Sequence, residues 1–159
     1  MLQSGLICFL AILNGRGFLN LSEIGSYESR IRVQAYASNI EASPSFEILK
    51  KSLEIVAEEH HGRLTNYVVD SVGRKTYCDL AIVAPSFSRG VGVKIDRETG
   101  EVMFLYDEYG GFGSIARKIT EEITQNYVAI ALIRAMRSLG YHVEDMSKER
   151  ETVVLVGRI

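Results

Sequence analysis

The sequence has no tryptophan, only two prolines and only two cysteines. Cys8 and Cys78 lie far apart and match no CxxC or metal-ligand spacing, which argues against a disulfide framework and a cysteine metal centre. Two isolated thiols fit a reducing compartment, and the expected location is cytoplasmic. Neither sign of charge dominates: 18 Lys and Arg stand against 20 Asp and Glu, for a net charge of -2. Nucleic-acid binding is driven by phosphate neutralisation from a basic surface, so nucleic acid is not an expected partner. Long apolar runs are also missing. Residues 6–13 (LICFLAIL) form a short one, whereas a helical membrane span needs about 20. No Lys or Arg precedes that run and no small-x-small cleavage pattern follows it, so it makes a poor signal peptide. No membrane contact is expected. Residues 1–26 are expected to be a leader or poorly ordered N-terminal extension, and residues 27–159 a single α+β domain.

What the chain does have is one dominant stretch, residues 106–143. It reads as an acidic-aromatic turn, a glycine cluster, a long helix and the start of a strand. Ser114 is the expected N-cap, because its hydroxyl can accept from a free first-turn N–H. Gly140 is the expected residue just past the end, where φ is positive. Ile115, Ile119, Ile123 and Tyr127 recur every four residues and share a face. Residues 128–133 are apolar all round, which predicts burial on more than one side.

Earlier in the chain, Ile31, Val33, Ala35 and Ala37 alternate with polar or larger residues, the period of a half-buried strand. Ser43-Pro44 starts a helix, with Ser as N-cap and Pro at the first helical position. Phe46, Leu49, Leu53, Val56 and Ala57 form its apolar face, and Gly62 is expected to close it. His60, His61 and Arg63 gather at its negative end. Strands are expected at residues 64–69, 76–84, 91–95 and 102–106. They are separated by turns at 71–74 and 96–100 and a looser loop at 85–90. A final hairpin of residues 141–146 and 152–158 is joined by a charged turn. Hairpin-spaced strands predict an antiparallel or mixed sheet. The expected fold is a two-layer α+β sandwich: a mainly antiparallel twisted sheet with two helices on one face, loosely ferredoxin-like with extra strands.

Several segments resemble a small family of conserved proteins of unknown function, which includes a hypothetical reading frame of red-algal plastid and cyanobacterial genomes. They are the strand CDLAIV (residues 78–83), the strand GVGVKID with its following DRETGEVMFLYDEYG hairpin, the helix ITQNYVAIALIRAMRSLGYHV and the closing TVVLVGRI. The resemblance covers residues 30–159. The family's tryptophans are absent here, and Asn126 stands where Arg is usual. The resemblance implies the fold and no assigned activity; it carries no catalytic residues across.

The best candidate site is the loop Tyr106, Asp107, Glu108, Gly110, Gly111, Gly113 and Ser114, with Arg117 one turn into the helix. Glycines ahead of a helix expose free N–H groups, and the helix dipole favours an anion there. The loop is neither GxxxxGK[ST] nor GxGxxG, and Asp107 and Glu108 would repel an anion. Two carboxylates are too few for a hard-cation site. Adjacent His60 and His61 point about 100° apart on a helix and cannot readily chelate one ion. Cys78 has no visible base to activate it, and Ser86 and Ser88 lack the GxSxG elbow. Arg63, Arg74, Lys75, Arg89 and Lys94, with Tyr67, Tyr77 and Phe87, would form a minimal single-strand platform if they shared one face; equally frequent acidic residues point instead to a solvated sheet. No catalytic residue, metal ligand or cofactor is expected. The expected function is a binding or adaptor domain that meets a protein partner, or a second copy, through a sheet face or edge. The alternative is an anion- or small-molecule-binding enzyme using the glycine loop.

Overall fold

A computed structural model describes residues 23–34, 39–149 and 152–158. The elements are β1 (Ile24–Arg32), α1 (Pro44–Glu59), β2 (Arg63–Val69), β3 (Lys75–Ala84), β4 (Phe87–Ile95), β5 (Glu101–Asp107), α2 (Phe112–Ser138), β6 (His142–Glu149) and β7 (Thr152–Arg158). Five strands form one sheet in the order β1-β5-β4-β3-β2, every neighbour antiparallel. The fold is therefore α+β, as the hairpin spacing predicts. β1 and β2 follow one another in the chain yet lie at opposite edges, so the connection through α1 crosses the whole sheet. β6 and β7 form a separate antiparallel pair beside α2.

Both helices cover one face. Leu49, Leu53 and Val56 of α1 and Ala116, Ile119 and Ile123 of α2 are buried against Ile82, Val91, Val93, Val102 and Phe104. A smaller cluster of Val68, Ala81 and Leu105, with Ile24 and Cys78 against it, fills the other face. Glycine makes that cluster possible. A Cβ on Gly92 would lie 2.9 Å from both the Cys78 sulfur and a Val68 methyl. Its absence lets the sheet coil until β2 reaches across towards β4 and β5.

The turns are closed by aspartates. Asp96 accepts from the N–H groups of Glu98 and Thr99 at 2.8 and 2.9 Å, and Gly100 takes the left-handed position at φ 73°. Asp70 accepts from the N–H groups of Val72 and Arg74 and from the Arg74 guanidinium, with Gly73 at φ 87°. At Asp70, burial pushes the carboxyl upward, but these donors outweigh it and hold the group below the usual carboxylate range. The third connection is tighter than expected. Only Pro85 and Ser86 separate β3 from β4, and residues 87–90 belong to the strand. Gly90, at φ 84° near a register shift between β3 and β4, absorbs the irregularity and keeps the strand going.

Four further boundaries differ from expectation. β1 begins at Ile24, and Ile24, Gly25 and Ser26 pair with Asp107, Tyr106 and Leu105, so these three residues belong to the domain rather than to a leader. Residues 1–22 and 35–38, which hold the rest of the leader together with Ala35 and Ala37, lie outside the described residues. Ser43 does occupy the N-cap of α1 with Pro44 after it, but its hydroxyl meets Ser45 at 2.8 Å instead of a helical N–H. At the end of α1 the left-handed residue is His61 (φ 53°), not Gly62. Gly62 is needed for a different reason: a Cβ there would lie 2.5 Å from the Val83 carbonyl oxygen of β3. The N-cap of α2 is Gly111, not Ser114, because Phe112 and Gly113 already have helical geometry. At the far end Gly140 is left-handed as expected. Its N–H bonds Arg137 O, and that of Tyr141 bonds Met136 O, the paired closure of a Schellman motif.

The second half of α2 departs most. Val128 and Leu132 are 40% and 42% exposed, and Leu139 is 74% exposed. Ile115 is also exposed, and the buried stripe runs instead through Phe112, Ala116, Ile119, Ile123, Asn126 and Ala129. Removing a side chain should separate the two halves. Ile119→Ala should destabilise by about 3 kcal/mol, the cost of a core cavity. Leu132→Ala should change stability by no more than about 0.5 kcal/mol. Urea unfolding of the two variants checks both.

Candidate functional site

The loop after β5 reverses the chain through Gly110 and Gly111, at φ 69° and 79°, and launches α2. Its geometry is set by Asp107, whose side chain is 1% exposed. One carboxylate oxygen accepts from the Tyr109 N–H at 2.9 Å. The other accepts from the Ser71 N–H at 2.9 Å and from Arg89 Nη1 at 3.2 Å. The same Arg89 nitrogen donates to the Tyr109 carbonyl at 2.7 Å, and its guanidinium lies 5.4 Å from the centre of the Phe112 ring. Asp107 thus ties the β2–β3 turn, β4 and the start of α2 to the end of β5. Its lone pairs are spent on the fold.

Glu108 turns the other way. It accepts from Arg117 Nη1 at 3.0 Å, and its charge lies beside the Tyr27 hydroxyl. Tyr27 stacks on Tyr106 with ring centres 4.1 Å apart and planes 11° from parallel. Gly25 permits this, because a Cβ there would collide with the Tyr27 ring and hydroxyl leaning back along the strand. Burial, then the Glu108 charge and Tyr106, push the Tyr27 phenol up to about 12. Burial and Glu108 likewise raise Tyr106.

These tyrosines open onto a groove of about 430 Å³ between β1 and α2. Tyr27, Glu28, Ser29 and Arg30 form one wall; Thr120, Glu121, Thr124, Gln125 and Val128 form the other; Phe104 and Tyr106 form the floor. β1 is an edge strand, and a register shift against β5 falls between Glu28 and Arg32. Within it Ser29 substitutes for ladder bonds: its hydroxyl donates to Val102 O at 2.5 Å and accepts from the Ile31 N–H at 3.1 Å.

Of the loop residues singled out by sequence, Tyr106, Glu108 and Arg117 come together around Tyr27. Asp107 is directed away, towards Ser71 and Arg89. Ser114 is exposed and donates to Gly111 O at 3.1 Å. Gly113 is buried against the Glu108 side chain, and Gly110 and Gly111 serve the turn. Sequence reasoning passed over Tyr27 and the groove; the one available signal was Gly25-Ser26-Tyr27, a glycine two residues before an aromatic on the same strand face.

The other candidates are placed as follows. His60 meets Glu122 of α2 at 2.6 Å and packs edge-on against Phe87, so it ties the two helices together. Cys78 is half-buried, donates to Leu80 O, and burial pushes its thiol up to about 11. The basic-aromatic set does not share a surface, because Arg89 is held by Asp107, Arg74 by Asp70, and Phe87 is buried. Lys75 lies over the Tyr67 ring at 4.2 Å. Among the described residues no group of three metal-ligating side chains occurs, and no helix is long and apolar enough to cross a membrane. No family model, curated protein or solved structure matches the chain.

Two outcomes follow. Asp107→Ala leaves Arg89 and two N–H groups without their acceptor and should destabilise by about 3 kcal/mol, as for a broken buried pair; thermal unfolding at neutral pH measures it. Alkaline titration reads Tyr27. The folded state holds this proton more tightly than the unfolded chain. The resulting stability is therefore present below pH 10 and is lost as pH rises towards about 12. Tyr27→Phe should remove part of that alkaline loss in unfolding measured against pH.

Proposed function

We propose that the chain is a cytoplasmic, non-catalytic binding domain of adaptor type, and that its contact surface is the edge of β1 with the groove beside α2. The observation that carries this reading is the groove's wall. Tyr27, Glu28, Ser29 and Arg30 are consecutive, yet successive side chains of a strand point to opposite faces. A groove that touches all four runs along the strand's outer edge, where main-chain groups are available to a partner. Edge strand plus helix wall is the geometry that receives an added strand. Exposed Val128 and Leu132 supply apolar surface on the adjoining helix. Kinship with the plastid and cyanobacterial family belongs to the same proposal, supported by the hairpin and helix segments quoted above.

The rival reading, an anion or small molecule on the glycine loop, is weakened by what the loop already holds. Arg117 is paired to Glu108, and Asp107 is committed to Ser71, Tyr109 and Arg89. A photo-crosslinking residue at Gln125, in the groove, should give discrete protein adducts in cells, while one at Lys94, on an exposed position of β4, should not. Equal labelling from both positions, or none from Gln125, would remove the groove from the reading. A thermal-shift screen with phosphates and nucleotides should leave the melting temperature unchanged; stabilisation that disappears in Arg117→Ala would favour the loop instead.

A further inference from the structure

We propose that the occupant of the β1–α2 groove is an extended basic peptide of a protein partner, its lysine or arginine held at Glu121 and its backbone lying along β1; this rests on the groove being the contact surface. The hydrogen-bonding inventory of the walls sets the chemistry. The hydroxyls of Ser29, Thr120 and Thr124 donate to Val102 O, Arg117 O and Thr120 O at 2.5, 2.7 and 2.8 Å. What they offer the groove is lone pairs. Glu28 and Glu121 add carboxylates, against the single guanidinium of Arg30. All three are exposed, and none forms an ion pair within the described structure. An acceptor-rich, net acidic groove is complementary to a donor-rich cation.

The floor asks for the opposite partner. Tyr106 is 3% exposed and lines the groove, and its hydroxyl donates to no acceptor among the described residues. That hydroxyl is open to the groove, and a peptide carbonyl would accept its hydrogen bond. An amine alone supplies the cation but not that acceptor, whereas a peptide supplies both. The apolar parts of Tyr27, Phe104 and Val128 accommodate the methylene stem of a lysine or arginine. The Ser29 irregularity disturbs β1 after Glu28, so added-strand pairing is confined to the regular stretch before it. A second copy would bring the same irregularity with its own β1 and fits less well.

The purified full chain is panned against a phage-displayed library of random peptides, and enriched sequences are synthesised for titration. Enrichment of peptides with Lys or Arg two positions from an apolar residue is expected. Binding should weaken about tenfold in Glu121→Lys, an exposed position, and should fall as salt rises. Thr124→Trp, which fills the groove, should abolish binding while circular dichroism shows an unchanged fold. Peptides without a basic bias that still lose binding in Thr124→Trp would overturn the basic-peptide inference and leave the contact surface standing. No enrichment, or binding indifferent to Thr124→Trp, would overturn both. Sedimentation showing self-association that Thr124→Trp removes would assign the groove to a second copy and overturn the peptide.

Discussion

One buried carboxylate organises the end of this molecule where β1, β5 and α2 meet. Asp107 sits at the last position of β5, the strand between the edge strand β1 and the glycine-containing β4. A carboxylate in that position is tolerable only because charge and N–H groups from three directions converge on it. The same bonds fix where the chain leaves the sheet and the direction in which α2 starts. The groove owes its width to that start, since one of its walls is the strand beside β5 and the other is the helix that follows. Tyr106, the residue before Asp107, lines the groove, and Glu108, the residue after it, reaches Arg117 of α2, while Asp107 itself faces away.

Much of the architecture was legible in the sequence because it is written in local chemistry. Asp96 with Gly100 and Asp70 with Gly73 announce their hairpins, and Gly140 announces the end of α2. The apolar set Phe46, Leu49, Leu53, Val56 and Ala57 is buried as its spacing requires. Where the reading failed, a distant part of the chain decided. Gly62 reads locally as a helix terminator, but the Val83 carbonyl from β3 forbids a side chain there, and the left-handed turn falls to His61. Residues 87–90 look like a loop until β3 is placed beside them. Val128 and Leu132 are apolar enough for a core but share a face of α2 turned out of it, while Ala129 between them is buried.

The candidate site was legible only in part, for the same reason. The glycine loop was visible as a motif, and three of its residues, Tyr106, Glu108 and Arg117, do lie together. Their focus is Tyr27, about eighty positions earlier in the chain, and no local pattern reveals which strand will sit beside β5. The long-range Asp107–Arg89 pair was hidden likewise: each residue taken alone was a candidate for ligand chemistry, and each is consumed by the other.

The placement of β1 and β2 at opposite margins has a kinetic side. β2 to β5 are joined by three short hairpins and can assemble from neighbours in sequence, whereas β1 must wait for β5, about eighty residues downstream, before it has a place to lie. The strand that arrives last and is fastened along a single flank is also the one most cheaply released. Hydrogen exchange should therefore be fastest along that margin, and the cleft it borders can widen by a partial detachment that leaves the meander and both helices in place.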